Sequence, residues 1–129
     1  DLRSKSDAAS RAMLGRIKKT LLRIEKKRGV KGRVKLSVKY AACPASMGIR
    51  RALKRAAGET EHSSLTLSSG GIHDACRIAA LCPIGMVFVP SVKGLSHTPE
   101  EFTKFSDIVA GAEVMASAIL GLADRRVRA

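Results

Sequence analysis

The chain has 129 residues, of which 45% are hydrophobic and 3% aromatic, and its 24 Lys and Arg residues outnumber its 11 Asp and Glu residues. This apolar content is enough for a core and excludes wholesale disorder. No run approaches the ~20 uninterrupted apolar residues of a membrane span, so we expect no membrane partner. The first residue is Asp and no signal-peptide pattern follows, so we expect a processed product or a piece of a longer protein.

The positive charge belongs to one half of the chain. Residues 1–62 hold 18 basic and 5 acidic side chains, whereas residues 63–129 hold 6 of each. A basic half is typical of contact with a polyanion such as nucleic acid, and a solvated surface is the alternative; both interpretations stay open. Because aromatic residues for base stacking are scarce, any contact with nucleic acid would be to phosphate.

The cysteines indicate the redox environment. They are three in number and have no CxxC spacing, which supports neither a disulfide framework nor a structural zinc cluster: Cys43, Cys76 and Cys82. The localisation is otherwise unknown, but a reducing compartment is favoured, either cytoplasm or an organelle matrix.

The segment 1–40 predicts a strand, a helix and a second strand. The helix is capped by Ser6 or Asp7 and stops at Gly29. Residues 33–39 alternate apolar and basic side chains, as in a strand with one buried face. The predicted buried stripe of the helix has apolar residues at helical spacing: Leu14, Ile17, Leu21 and Ile24.

The remainder of the chain predicts helices alternating with apolar strands. Helices are predicted over three segments: 45–57, 73–81 and 106–123. Strands are predicted over 64–67 and 85–90, and a long loop over 91–104. The last helix has one predicted apolar face, formed by Ile108, Ala112, Met115, Ile119 and Leu122. This alternation predicts an α/β fold with a mainly parallel, covered sheet.

Two histidines stand in loops next to the predicted strands. His73 follows a Gly pair at a strand-to-helix turn, and His97 follows the buried strand, beside Ser96 and two glutamates. Ligands of open α/β sheets bind at such loops, and a histidine there could serve as a metal ligand or a general acid or base. A surface histidine is the alternative for both residues. His62 lies in a polar linker, where nothing indicates a role.

Residues 69–103 read SGGIHDACRIAALCPIGMVFVPSVKGLSHTPEEFT. In order and spacing, this block resembles the C-terminal part of the metal-dependent amidohydrolases that include N-carbamoyl-L-amino-acid hydrolase, allantoate amidohydrolase and beta-ureidopropionase. They belong to the aminoacylase and carboxypeptidase superfamily. The opening DLRS resembles the D-x-R strand of that family, and Cys43-Pro44 resembles its C-D-P helix start. The resemblance therefore covers essentially the whole chain.

The resemblance implies a catalytic α/β domain that is interrupted by a smaller α/β lid, which also dimerises. Residues 1–40 would be the second half of the lid or dimerisation domain. Residues 41–124 would be the C-terminal half of the catalytic domain, with its mainly parallel sheet. For residues 125–129 the sequence itself predicts a basic, frayed tail.

The resemblance also implies roles for individual residues. His97 would be a ligand of one of two catalytic metals, zinc or manganese, as suits a neutral imidazole. His73 would bind substrate near the scissile amide, and Arg3 would bind the substrate carboxylate with its guanidinium. Gly71 and Ile72 would face the substrate. No catalytic residue is expected within this chain.

Two departures from the family pattern bear on activity. Ile72 stands where the family has Gly, and Gly71 where Ala is usual, so a β-branched side chain could crowd the pocket or change the backbone φ/ψ there. The other metal ligands and the catalytic glutamate of the family lie in an N-terminal half that this chain does not contain. Glu100 and Glu101 adjoin the motif and are expected to be structural.

Several functions remain open at this point. The first is the C-terminal portion of a metal-dependent amidohydrolase that cleaves an N-carbamoyl amino acid, allantoate or a ureido acid and is inactive without a complementary N-terminal half. The alternative is a non-catalytic descendant of the fold, a basic structural or nucleic-acid-associated component that binds through residues 1–62. An inactive gene fragment is a third possibility. We favour the first, and expect a complementary chain, a homodimer through the lid, or self-association.

Overall fold

The computed structural model describes residues 1–38 and 40–127, with side chains as far as Asp124, as four helices joined by extended segments. A short 3-10 turn at Val92–Gly94 precedes the last helix. The chain divides into two compact units. The first unit comprises residues 1–44 and 68–72, and the second comprises 45–67 and 73–129. The helices are α1 (Asp7–Arg28), α2 (Met47–Glu59), α3 (Ala75–Ile78) and α4 (Phe105–Val127).

The strand predictions are corrected by the structure. Across residues 1–38 and 40–127 no strand is formed, including at 64–67 and 85–90; Lys39, at the end of the predicted strand 33–39, lies outside the described residues. A strand exists only where a neighbouring strand accepts and donates its backbone hydrogen bonds. Because the described segments do not pair with one another, the alternating side chains stay open, and Leu36 is 59% exposed. The assignment of residues 1–40 to a lid and 41–124 to a catalytic domain stays a prediction.

Helix α1 has the predicted bounds because local capping determines them. Ser6 is extended, and its hydroxyl accepts a hydrogen bond from the Ala9 N–H at 3.4 Å. Gly29 has φ +65°, the left-handed conformation that glycine adopts without a Cβ penalty, and its N–H donates to the Glu25 carbonyl.

The segment after α1 folds back along one side of that helix. The Ala42 N–H donates to the Asp7 carboxylate at 2.9 Å, and the Gly32 N–H donates to the Glu25 carboxylate at 2.6 Å. A Cβ on Gly32 would lie 2.5 Å from Cδ1 of Leu21, so the two segments are in close contact there. This contact covers only part of the predicted buried stripe. Leu14 is half-buried, whereas Ile17 and Ile24 stay 44% and 40% exposed.

In the second unit, α2 packs against α4 through small side chains. Ala56 and Ala57 of α2 are 1% and 2% exposed, and they form a buried cluster with Val114 and Ala118 of α4, covered in part by Leu53. Small residues permit this close approach of two helices. The helix over residues 73–81 was predicted to be longer than α3, which has one turn at Ala75–Ile78.

The apolar face predicted for α4 is not its buried face. Because the alanines of α2 fit the Val114 side of α4, the larger side chains of α4 line an open groove of about 460 Å³ instead. Met115 and Ile119 in this groove are 43% and 58% exposed. The groove is also lined by Val87, Val89, Ile108, Gly111, Ala112 and Ala116.

Helix α4 is longer and more apolar than the sequence analysis anticipated. It continues past the predicted end to Val127, so the predicted tail 125–129 begins inside the helix, and residues 128–129 lie outside the described part. By length and composition alone, Phe105–Asp124 could cross a membrane, with a mean hydropathy of 1.5. The core helix of a soluble protein has the same composition, and the expectation of no membrane partner stays a prediction.

Two glycines of α4 provide a matched test of the packing between α4 and residues 85–90. Alanine is more favourable than glycine in a helix by about 1 kcal/mol, which is the gain we expect for Gly121→Ala, because no atom lies within 4 Å of the added Cβ. In Gly111→Ala the new Cβ would lie 2.5 Å from Cγ1 of Val89, a stiff side chain, so a cost of about 1–3 kcal/mol opposes that gain.

The measurement is urea unfolding of the two variants followed by circular dichroism. Gly121→Ala should unfold at a higher midpoint than the unsubstituted protein, and Gly111→Ala at a lower midpoint than Gly121→Ala. Equal midpoints for both variants would contradict the packing of α4 against Val89.

Candidate functional site

Arg3 lies against the glycine segment of the first unit. Its guanidinium donates to the Gly70 carbonyl and to the Asp1 carboxylate, with an Arg3 Nη2 to Asp1 Oδ2 distance of 2.6 Å. The two side chains are 54% and 65% exposed, so this ion pair contributes only about 0–1 kcal/mol. A carboxylate ligand could therefore displace Asp1 from the guanidinium at little cost while Gly70 holds the arginine in position.

The backbone around Ile72 shows how that residue is accommodated. The Gly71 N–H donates to the hydroxyl of Ser69 at 3.0 Å, which forms a tight turn. Ile72 does not have a positive φ, so a β-branched residue is tolerated there without backbone strain. Its side chain is 57% exposed. The backbone at position 72 therefore accepts isoleucine, and crowding of a substrate pocket by its side chain stays a prediction.

His73 opens the short helix α3 in the second unit. Its carbonyl accepts the Cys76 N–H at 2.9 Å, which begins the turn. Its half-buried ring contacts Phe88 edge to face, with ring centroids 5.5 Å apart. The contact restricts the orientation of the imidazole.

His97 lies on a loop that is closed at its base. The loop ends are joined by the Val92 N–H, which donates to the Phe102 carbonyl at 2.8 Å. His97 has φ +60°, and its N–H donates to the Glu101 carboxylate at 2.7 Å. Ser96 Oγ is 3.1 Å from Nδ1 of the exposed imidazole, and Nε2 has no hydrogen-bond partner among the described residues. One ring nitrogen of His97 thus faces solvent in a fixed loop.

The side chains that could donate to a metal do not make up the site that the resemblance implies. Among the described residues, no three His, Cys, Asp or Glu side chains group closely enough to hold a metal ion. His97 offers one imidazole, and the nearby Glu101 is occupied with the backbone of His97 itself. A zinc site takes three or four protein ligands, so the described residues of this chain do not form the binuclear centre by themselves.

The predicted site residues are divided between the two units. Arg3, Gly71 and Ile72 belong to the first unit, where Arg3 and the glycine segment are in contact, and His73 and His97 belong to the second. The substrate-binding roles of Arg3, Gly71, Ile72 and His73 and the metal-binding role of His97 stay predictions.

Sequence reasoning missed two contacts of polar side chains. Glu101 lies four residues after His97 and binds its backbone, in agreement with the expected structural role of that glutamate. The spacing could have indicated this contact. His62, to which no role was given, has its Nε2 2.7 Å from the carboxylate of Glu113 on α4. No local sequence signal could have paired residues so far apart.

Comparison with known proteins extends the resemblance seen in the sequence. The chain is 34% identical over 115 residues, 89% of its length, to an N-carbamoyl-L-amino-acid amidohydrolase of Paenarthrobacter aurescens. It is 39% identical over 57 residues, 44% of its length, to an allantoate amidohydrolase of Escherichia coli. It covers 28% and 14% of these two relatives, so the chain spans less than a third of their length.

A solved structure is similar over most of the chain. The crystal structure of a Burkholderia cenocepacia protein assigned as an amidohydrolase/peptidase matches 91% of this chain with a TM-score of 0.80 and 31% identity, and the match covers 29% of that protein. Residues 14–121 match the sequence family described as peptidase family M20/M25/M40. The resemblance to the metal-dependent amidohydrolases is thereby confirmed, and the chain belongs to peptidase family M20/M25/M40.

Proposed function

We propose that this chain is the C-terminal portion of a metal-dependent amidohydrolase that cleaves a linear amide, such as an N-carbamoyl amino acid, and needs a complementary N-terminal part for activity. The observation that carries the proposal is the geometry of His97. An exposed imidazole is held on a closed loop with one ring nitrogen toward solvent, as a ligand that completes a metal centre with donors from elsewhere must be.

The surface of the chain supports a complementary part. Large apolar side chains are exposed in both units, among them Leu22 of α1 and Leu120 of α4. They accompany the open groove along α4 and the open stripe of α1. A chain that buries so little of itself gains stability by covering these surfaces, either with the missing part of the sheet and its lid or with a second copy.

Roles for the other predicted residues follow from their contacts. We assign Arg3 to the substrate carboxylate, since its present acidic partner is exposed and weakly held. His73, with its ring oriented by Phe88, would donate to the oxyanion that develops at the scissile carbonyl. His97 would contribute one ligand to a zinc or manganese ion, which supplies the activated water when bound. Ile72 would narrow the substrate pocket.

A chimaera tests this function. The matching segment of the Paenarthrobacter aurescens amidohydrolase is replaced by this chain, and hydrolysis of an N-carbamoyl amino acid is measured with zinc or manganese present. We expect turnover that the same enzyme without its C-terminal segment lacks. His97→Ala should lower kcat at least about 100-fold and reduce the amount of bound metal, because loss of a ligand weakens the binding of the ion.

His62→Ala is the matched control, because His62 lies outside the motif and contacts Glu113 instead. Its turnover and metal content should stay near those of the chimaera. Full turnover and full metal content in His97→Ala would overturn the assignment of His97.

The bulk of Ile72 gives a second prediction in the same chimaera. Since Ile72 has no positive φ, the Ile72→Gly variant relieves no backbone strain. Any change in kcat/KM would then come from the space that the smaller side chain leaves for the substrate. We expect kcat/KM to rise by about tenfold, the effect of relieving one crowded apolar contact. An unchanged or lower kcat/KM would mean that Ile72 does not border the pocket.

The positive φ of His97 predicts a conflict between stability and function. A non-glycine residue in the left-handed region costs about 1–2 kcal/mol, and such strain persists at sites that need it. His97→Gly should therefore be more stable than His97→Ala by about 1 kcal/mol in urea unfolding of the chimaera, with neither variant active. Ser96, which does not have a positive φ, is the control: there the Ala variant should be more stable than the Gly variant. If the same variant, Gly or Ala, were the more stable one at both positions, this result would argue against backbone strain at His97.

A further inference from the structure

Helix α1 carries a basic face with regular spacing. At 100° per residue, five exposed side chains fall within an arc of about 100° and extend over about 17 Å of helix: Arg16, Lys19, Arg23, Lys26 and Lys27. None of them forms an ion pair with a described residue. We call this set the basic face of α1.

The acidic side chains of α1 do not neutralise this face. Asp7 and Glu25 are 18 residues apart and therefore lie on one line of the helix, about 100–200° around it from the basic residues. Each accepts a hydrogen bond from a backbone N–H of the returning segment, from Ala42 and Gly32 respectively. The returning segment contacts α1 on that line and at the neighbouring Leu21, so it leaves the basic face uncovered.

Ordinary helix stabilisation explains only part of the pattern. Lys26 and Lys27 belong to the last turn, where cations interact favourably with the helix dipole. Arg16, Lys19 and Arg23 lie too far from the C-terminus for that effect, which acts within about one turn. Hydrolysis of a small amide does not require them either, since the predicted substrate residues lie elsewhere in the chain.

We propose that the basic face of α1 binds the phosphodiester backbone of nucleic acid without reading its sequence. Each strand of double-stranded DNA carries one charge per about 3.4 Å of axis, so the length of the face corresponds to about five phosphates of one strand. Neutralising phosphates with Lys and Arg releases counterions, which supplies the affinity. An anionic membrane surface is disfavoured because the returning segment already packs against Leu21, in the apolar stripe that an interfacial helix would insert into a bilayer.

The experiment measures binding of the 129-residue chain to a labelled duplex of DNA, and separately of RNA, across a series of salt concentrations. Four charges are removed from α1 in one variant, and four exposed charges from α2 in its matched control, so both lose the same net charge. The α1 variant carries Lys19→Gln, Arg23→Gln, Lys26→Gln and Lys27→Gln. The α2 control carries Arg50→Gln, Arg51→Gln, Lys54→Gln and Arg55→Gln.

We expect the slope of log affinity against log salt to fall by about 3–4 in the α1 variant, and its affinity to fall at least about tenfold near 100 mM salt. The α2 control should show a much smaller loss of affinity and a much smaller change in the salt slope. Equal losses in both variants would mean that net charge alone attracts the duplex and would overturn the proposal. Absence of binding at low salt, or preference for anionic lipid vesicles over both duplexes, would also overturn it.

A second measurement does not depend on the folding of any variant. The unsubstituted chain is acetylated with and without DNA, and modification of each lysine is read by mass spectrometry. Lys19, Lys26 and Lys27 should be protected several-fold by the duplex, whereas Lys54 on α2 and Lys104 should react equally in both conditions. Uniform protection, or protection confined to Lys54, would contradict a site on α1.

Discussion

The contact between α2 and α4 is the interaction on which the second unit depends. It buries four side chains, three of which are alanines, together with part of Leu53. Apolar burial is the main driving force of folding, and alanine contributes little area to it. The larger apolar side chains of α4, such as Met115 and Ile119, face the open groove and stay exposed. The second unit is therefore held by a close but small contact, and covering the other side of α4 would add apolar burial to it.

The same constraint accounts for the missing strands. An apolar segment such as 85–90 becomes a central strand only if neighbours satisfy its backbone on both sides. In the described part of the chain this segment packs against helices and pairs with no strand: Val89 lies close to Gly111 of α4, and Gly85 lies close to Ile49 of α2. The stripe of α1 is in a comparable state, contacted by the returning segment at Leu21 and open at Ile17. The apolar side chains of segment 85–90 and of the α1 stripe have the composition of a protein core. Among the described residues, neither set is fully covered by a second layer of helices or strands.

The features that could be predicted from the sequence are those that neighbouring residues in the chain determine. The bounds of α1 follow from Ser6 and Gly29, which act within one turn, and they were predicted correctly. Family membership could be predicted because the block 69–103 combines several motifs in fixed order, and it is confirmed. Burial could not be predicted as well, since it depends on which face finds a partner. The sequence pattern of α4 favoured Met115 and Ile119, whereas the alanines of α2 selected Val114 and Ala118.

The site residues show the same division. A glutamate four residues after His97 is a local feature, and its contact with the His97 backbone could have been inferred. The contact of Arg3 with Gly70 joins residues 67 positions apart, and only the family pattern linked those two segments beforehand. The φ of His97 has no sequence signal of its own, although histidine is enriched among the non-glycine residues with φ above zero. Strain of this kind persists only when surrounding contacts determine it. Here the Glu101 carboxylate and the closed loop base supply them, and these contacts hold the loop around His97 in its observed conformation.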